Sequence, residues 1–465
     1  MNSTALGCLT ALLIAALPAA GQRRSGSTDP PNILLVTIDT LRADHLSSYG
    51  YYRKTSPNID ALAADGVRFE HAYCTIPLTG PSHVSLFSSR YPQEHGVRIN
   101  GVPIPKDSKW LYLPQILRRF GYFNVAFVSA WPLASHLTGF SHWFQVYDED
   151  MKRRYQFLSS SRFAEDVTPR AISWLKDQRV EPFFLWVHYF DPHAPYHLRD
   201  DFADPATNGK AAATRSGVAP KMKDRIRRYD SEIGYVDYHL GLLLRALDKL
   251  GVTDSTLLVL TSDHGESLGE HNYVGHGRHL YESILRVPLI IRYPGRIKPG
   301  KVIDTPVSLL DVTPTILELS GLSQRQPPIP ANFVGRSLAG AIQNGSSLPD
   351  HPVRFLTFAG KKGWTPSWLS FSWAWLRFPR LPLRLGWLNG PTKSVWTPRE
   401  KSLLIFDLAS DVHELDPLSV SSEHDRFTEE TTALELWFKA TDLTEADMKR
   451  AKRDEEILKS LGYTQ

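Results

Sequence analysis

The sequence predicts an α/β fold: a large, mostly parallel mixed sheet sandwiched by helices, with a smaller C-terminal α+β domain. Three observations lead there. Continuous apolar, β-rich runs recur at residues 33–38, 125–128, 183–187, 257–260 and 289–291, and runs that do not alternate suit strands buried on both faces. Between them lie patterns of helical period. In residues 231–250, Ile233, Val236, Leu240, Leu243, Leu244 and Leu247 recur and Gly251 supplies the stop. After about residue 350 the texture changes, with six of the twelve tryptophans in residues 364–396 and a charged helical pattern over 429–461. Strands alternating with helices argue for a parallel sheet, whose chemistry gathers at the carboxyl ends of its strands.

Taken in order, the chain opens with an apolar run at 9–20 (LTALLIAALPAA) that ends in small residues. This reads as a secretory signal over 1–21, cleaved near Ala20 or Gly21. An uncleaved anchor is the alternative, for which the run is short. No later stretch is apolar enough to span a bilayer. The expectation is therefore an exported protein, periplasmic or extracellular, and not an integral membrane protein. Of the two cysteines, Cys8 lies in the signal and Cys74 is left alone, so the mature chain forms no internal disulfide. That fits a bacterial envelope protein. The catalytic domain is expected over 28–345 and the C-terminal domain over 350–465. Residues 200–223, polar and without period, read as an excursion loop. The net charge of +4 is spread along the chain and gives no warrant for a nucleic-acid partner. The Trp-rich stretch 364–396 reads as a hairpin packed on the catalytic domain, or else as an aromatic platform for carbohydrate or a membrane interface.

The chemistry sits at the strand ends. Asp39 follows the first strand directly, in ILLVTIDTLRADH, and Asp263 and His264 follow the strand 257–260, in LLVLTSDHGESLGEH. Carboxylates and an imidazole at strand ends are suitable ligands for a divalent metal, although each alone is more often a cap. The segment Thr79-Gly80-Pro81-Ser82-His83-Val84-Ser85-Leu86-Phe87-Ser88-Ser89-Arg90 puts Pro81 where a helix opens. Thr79 then stands just before that helix, where amide donors favour an anion; a bare Thr there is more often an N-cap.

This segment resembles the sulfatase signature, Cys/Ser-x-Pro-Ser-Arg-x-x-Leu-x-Thr-Gly-Arg, in register from Thr79 through Pro81, Ser82 and Leu86 to Arg90. Other sulfatase-like stretches follow in order: PNILLVTIDTLR (31–42), HGVRIN (95–100), HYFDPHAPY (188–196), YDSEIGYVDYHLG (229–241), LYESILRVPLIIRYPG (280–295), PVSLLDVTPTILELSGL (306–322) and FDLASDVHELDPL (406–418). The resemblance covers nearly the whole mature chain and implies the sulfatase family of the alkaline phosphatase superfamily.

Two departures shape the expected chemistry. Sulfatases use a Cys or Ser oxidised to formylglycine, and Thr79 can be oxidised only to a ketone; the Arg of the motif is also replaced, by His83. Where many sulfatases carry two adjacent acids, this chain has Asp39-Thr40. The implied ligand set Asp39, Thr79, Asp263 and His264 is similar to that of threonine-dependent relatives in the superfamily. These include phosphoethanolamine transferases, lipoteichoic acid synthases and nucleotide pyrophosphatase/phosphodiesterases. The run 262–270 with His276 is like the phosphoethanolamine transferases, and Asn100 resembles a polar group near the nucleophile of phosphonate monoester hydrolases.

The resemblance implies one divalent metal ion, Ca, Mn or Zn, held by Asp39, Thr79, Asp263 and His264, with His264 tilting the choice toward Mn or Zn. A second metal would follow if His193, His276 and Asp191 gathered one. Thr79 would be the nucleophile, with Asn100 and the helix amides after Pro81 stabilising charge. His193 and His276 would hold the ester and protonate the leaving group, and Arg90 would brace the helix. His188 is either a third imidazole or structural, His95 and His271 are surface or supporting residues, and Arg278 meets substrate charge. The expected partner is an anionic ester, on a sulfated or phosphorylated glycan or lipid. Phosphoester hydrolysis stands slightly ahead of a true sulfatase using unmodified Thr79; an inactive binding protein on the same scaffold is the third reading.

Overall fold

The structure is a computed structural model that describes residues 30–106, 108–151, 153–155, 158–203, 220–325, 328, 333–349, 351–358, 382–420 and 425–441. Eighteen strands are formed among them: β1 (Asn32–Ile38), β2 (Val67–Tyr73), β3 (Phe123–Phe127), β4 (Val146–Asp148), β5 (Arg153–Tyr155), β6 (Leu158–Ser161), β7 (Phe183–Tyr189), β8 (Thr256–Thr261), β9 (Ser267–Leu268), β10 (Val274–Gly275), β11 (Arg286–Arg292), β12 (Lys301–Ile303), β13 (Val307–Ser308), β14 (Val353–Thr357), β15 (Arg384–Asn389), β16 (Thr392–Thr397), β17 (Ser402–Asp407) and β18 (Leu418–Val420).

The large sheet runs β12-β2-β11-β8-β1-β7-β3-β4, with β13 also pairing β2. Its pairings are parallel except where β11 lies antiparallel to β2 and β8. The unbroken apolar runs have a direct cause. Successive side chains of a strand point to opposite faces, and here both faces are covered. Ile33 and Leu35 of β1, Phe184 and Trp186 of β7, and Leu257 and Val259 of β8 enter one core. Leu34, Val36, Leu185, Val187, Leu258 and Leu260 enter the other. The second core is closed by the helices Ala164–Asp177 and Pro220–Lys249, from which Val167, Ile233, Val236, Leu240 and Leu243 are buried. That long helix begins at Pro220, so the expected excursion loop ends before residue 220, and residues 204–219 lie outside the described residues.

Strands β14 to β18 form a separate, antiparallel five-stranded sheet. The helix Asp425–Thr441 lies against it, Leu434 and Phe438 packing with Leu356, Leu385, Trp396, Leu403 and Ile405. The expected charged helix over 429–461 therefore starts earlier, and residues 442–465 lie outside the described set. Of the Trp-rich stretch, residues 359–381 are also outside it. Trp387 and Trp396 sit in the hairpin of β15 and β16. Trp387 donates Nε1–H to Glu430 Oε2 at 2.8 Å, and Trp396 is buried edge-on to Phe427. These two are packing residues. The 1–21 segment falls outside the described residues, and among those described no helix is long and apolar enough to cross a membrane.

Candidate active site at the strand ends

The carboxyl ends of β8, β1 and β7 lie side by side, and each delivers a polar residue to the same place. Asp39 continues β1, its N–H bonding Tyr189 O at 2.9 Å. The chain then turns at Thr40, whose φ is 57°. A buried β-branched residue with left-handed backbone is strained, by about 1–3 kcal/mol, and persists only where its surroundings hold it. Here Thr40 N–H bonds Asp263 Oδ1 at 3.3 Å and Thr40 O accepts from Tyr229 OH at 2.7 Å. Leu41 N–H bonds Ser262 Oγ at 3.0 Å, and Ser262 in turn donates to His264 O at 2.7 Å. The turns after β1 and β8 are thus tied to each other.

Four groups converge where those turns meet. Asp39 and His264 are 0% exposed, Asp263 1% and His188, near the end of β7, 0%. His264 Nε2 lies 3.5 Å from Asp263 Oδ2 and 4.0 Å from Asp39 Oδ1, and His188 Nε2 lies 3.8 Å from Asp39 Oδ2. Asp39, His188 and Asp263 offer ligand atoms all within 4.8 Å of one another. Both oxygens of Asp39, Asp263 Oδ2 and His188 Nε2 are buried without a hydrogen-bond partner. Burial, with Asp263 and Glu266 adding to it, pushes the Asp39 carboxyl well above its usual range. Burial also holds His188 and His264 below theirs, so both imidazoles are neutral. A cation among these buried, partnerless donors would remove the cost that their burial and mutual repulsion impose. The orphaned atoms and the oxygen and nitrogen donors fit a divalent metal.

The nucleophile candidate arrives from another element. Helix α1 (Pro57–Ala64) precedes β2, and helix α2 (Thr79–Ser88) follows it, buried along its whole length. Thr79 Oγ1 stands 3.5 Å from His264 Nε2. The helix begins at Thr79 rather than at Pro81, and this corrects the expected source of amide donors. Pro81 has no N–H, Ser82 N–H is taken by Leu78 O at 2.9 Å, and Gly80 N–H by Asn100 Oδ1 at 2.8 Å. The amides after Pro81 lie inside the helix ladder. Asn100 caps the helix start and fixes Thr79. His83, at the position of the signature's Arg, bonds Thr79 O through Nδ1 at 2.7 Å and Thr37 Oγ1 through Nε2 at 3.0 Å. Burial pushes it down, and it holds the helix as a neutral group.

A second row of imidazoles flanks this cluster. The His264 and His276 rings are 4.4 Å apart and those of His276 and His193 5.2 Å. His193 Nδ1–H donates to Ala194 O at 2.6 Å; burial, then His276, lowers it to about 4. His276 Nδ1 faces Glu266 Oε1 at 3.2 Å. Asp191 does not join them. It accepts from Ala164 N–H at 2.9 Å and from Arg199 Nη2 at 3.2 Å, so the expected His193–His276–Asp191 metal set is not assembled, and the carboxylate beside these rings is Glu266.

The remaining candidates stand apart. Arg90 pairs with Glu94 at 3.0 Å and lies over Trp110, bracing the chain beyond α2 away from Thr79. His95 is buried, not superficial: Val97 N–H bonds its Nδ1 at 3.1 Å and its Nε2 meets Ser85 Oγ of α2 at 2.9 Å. His271 is half-buried and stacks on Tyr281 at 3.8 Å. Arg278 O accepts from Arg384 Nη1 at 2.7 Å. Glu266, three residues after Asp263 and so carried round to the same turn, has no strand-end position to mark it in the sequence. For His188, position in a strand does not say what the ring faces.

A hydroxyl beside buried carboxylates and imidazoles at parallel strand ends is the equipment of a hydrolase acting on ester bonds. Comparison with known proteins narrows this. Residues 31–322 match the family described as Sulfatase. The N-acetylglucosamine-6-O-sulfatase of Bacteroides thetaiotaomicron is 26% identical over 75% of this chain and 77% of its own. A structure from the same organism, described for the metabolism of multiple glycosaminoglycans, superposes with a TM-score of 0.72 at 20% identity, covering 92% of this chain and 99% of that one. The phosphonate monoester hydrolase of Agrobacterium radiobacter superposes with a TM-score of 0.67 at 22% identity over 89% and 96%. The chain belongs to the sulfatase family, with its mostly parallel central sheet and smaller antiparallel C-terminal sheet.

Proposed function

We propose that the protein is an exported, metal-dependent hydrolase that cleaves an anionic ester by attack of Thr79, with phosphate or phosphonate esters ahead of sulfate. The observation that carries this is the placement of Thr79 Oγ1 at 3.5 Å from His264 Nε2, beside the orphaned oxygens of Asp39 and Asp263. Asp39, Asp263 and His264 would hold the ion. Once bound, a divalent ion there would lower the pKa of the neighbouring hydroxyl and polarise the ester.

The chain's own groups supply the rest. Thr79 Oγ1 gives its proton to solvent and forms a bond to phosphorus as the bond from phosphorus to the ester oxygen breaks. Neutral His193, with its proton on Nδ1, keeps Nε2 as an acceptor and is suited to orienting the substrate. His276, whose Nδ1 faces the Glu266 carboxylate, is suited to donate the proton that the leaving oxygen needs. Water then gives a proton to His276 as it attacks phosphorus, and Thr79 Oγ1 leaves and regains its proton from solvent. Threonine cannot eject its product by collapse to an aldehyde, which favours a phosphoryl over a sulfuryl intermediate. Sulfate ester hydrolysis is the second reading, supported by the similarity to the N-acetylglucosamine-6-O-sulfatase, and a sulfated glycan would then be the substrate. Export rests on the apolar run at 9–20, and the division into domains at 28–345 and 350–465 on the separate C-terminal sheet.

The test compares aryl phosphate, aryl phosphodiester, aryl phosphonate and aryl sulfate with wild type and Thr79→Ala. Phosphoester or phosphonate turnover that disappears in the variant is expected. Dominant sulfate turnover would overturn the substrate preference, and full activity in the variant would overturn the nucleophile.

A further inference from the structure

We infer that His188 is a ligand of the metal, so that the site is a mixed set of two imidazoles and two carboxylates that selects a transition-metal ion over calcium. The inference rests on the metal-dependent reading above and adds a residue to it. The bland alternative is a core histidine with its polar atoms satisfied, and half of His188 does look like one. Ser129 Oγ donates to His188 O at 2.5 Å, so its lone pair is left to accept from His188 Nδ1–H at 3.0 Å. That bond fixes the tautomer and leaves a bare lone pair on Nε2.

The other half of the ring is unsatisfied. His188 Nε2 is buried with no hydrogen-bond partner and faces Asp39 Oδ2, whose own oxygens are orphaned, at 3.8 Å. His264 repeats the arrangement. Its Nδ1–H donates to Gly265 O at 2.9 Å, and its Nε2 lies 3.5 Å from Asp263 Oδ2 and 4.0 Å from Asp39 Oδ1. Two ligands bonded tetrahedrally to one zinc ion at about 2.0–2.1 Å stand roughly 3.4 Å apart. The separations of 3.5, 3.8 and 4.0 Å, which use both oxygens of Asp39, are too long for hydrogen bonds, and ligand atoms, one each from Asp39, His188 and Asp263, lie within 4.8 Å of one another. A ring nitrogen held as an acceptor by a bond at its other nitrogen is the usual state of a ligating histidine. The residue after Asp39 is Thr40 rather than an acid, which leaves room for an imidazole in the ligand set. Calcium wants six to eight oxygen ligands, whereas imidazole nitrogen suits zinc and its neighbours.

The experiment uses the full chain, stripped with chelator. Zinc and calcium affinities are measured by chelator competition, and X-ray absorption of the zinc-loaded wild type counts imidazole ligands. Two imidazoles and a zinc preference above about 100-fold are expected. His188→Phe should weaken zinc more than about 100-fold, and Ser129→Ala, which only frees the ring, by about 10–100-fold. Should His188→Phe not fold, the imidazole count and Ser129→Ala decide. A single imidazole, unchanged zinc affinity in the folded variants, or calcium bound as tightly as zinc overturns the inference. Asp39→Asn separates the two layers: if it abolishes zinc binding while the His188 and Ser129 variants keep it, only the His188 assignment falls. If Asp39→Asn also binds zinc normally, the metal-site reading falls with it.

Discussion

Glu232 shows what a single residue's surroundings do to its chemistry. It lies on the helix Pro220–Lys249, is 1% exposed and accepts from His197 N–H at 3.0 Å through Oε1, while Oε2 is buried with no partner. Burial, with Asp191 adding to it, pushes its carboxyl up to about 9. The native state therefore keeps a proton that the unfolded chain releases near the ordinary glutamate value. Stability is full below that value and falls as pH rises, until the native group itself ionises near 9. Glu232→Gln keeps the Oε1 acceptor and cannot ionise. Urea unfolding at pH 5 and pH 8 should show the variant gaining roughly 4 kcal/mol on wild type across that range. Parallel stability curves would show that the side chain is not held protonated.

At the scale of elements, the site depends on how closely two turns approach. Gly265 separates His264 from Glu266, and its N–H bonds Ile284 O at 2.7 Å, while Glu266 N–H bonds Ser283 O at 2.9 Å. A Cβ at Gly265 would stand 2.3 Å from Ser283 O, which is backbone and cannot swing aside. Gly265→Ala should push the segment after β8 off the turn before β11, cost roughly 1–3 kcal/mol, and lower hydrolysis at least about 10-fold by moving His264 and Glu266 together. Wild-type kcat/KM in that variant would mean that the turn tolerates the shift. The C-terminal sheet acts on the next turn: Thr357 Oγ1 of β14 donates to Gly277 O, and Arg384 Nη1 of β15 to Arg278 O, bracing the stretch that carries His276.

Across the whole molecule, the two sheets are joined by a buried charge cluster. Lys393 of β16 is 0% exposed and pairs with Glu282 at 2.9 Å and Glu414 at 2.7 Å. Glu414 also accepts from Glu282 N–H at 2.7 Å. Burial pushes Glu414 up to about 7 even with Lys393 beside it. Lys393→Met would strand two carboxylates, and breaking a buried pair from one side costs about 3–5 kcal/mol. Thermal unfolding should show that loss, and Lys393→Met with Glu414→Gln should recover part of it. A single variant as stable as wild type would mean that water enters and solvates the acids.

The sequence by itself determined the layered sheet, because a strand covered on both faces must be apolar at every position, and runs such as 33–38 have no other economical use. It also brought out the residues at the strand ends, since an acid directly after such a run stands at the edge of the core. It could not decide which way a ring faces. His188 and His83 both lie buried near the same centre. One turns its free nitrogen to Asp39, and the other has both nitrogens bonded to Thr79 and Thr37. Nor could it show that Asp191 is drawn to Arg199 while Glu266 takes the place beside His276. His188 meets Asp39 and His83 meets Thr37 across distant stretches of the chain, while Arg199 and Glu266 lie within about ten residues of the groups they hold and reach them only through the path of the folded loops, so only the tertiary structure decided these outcomes.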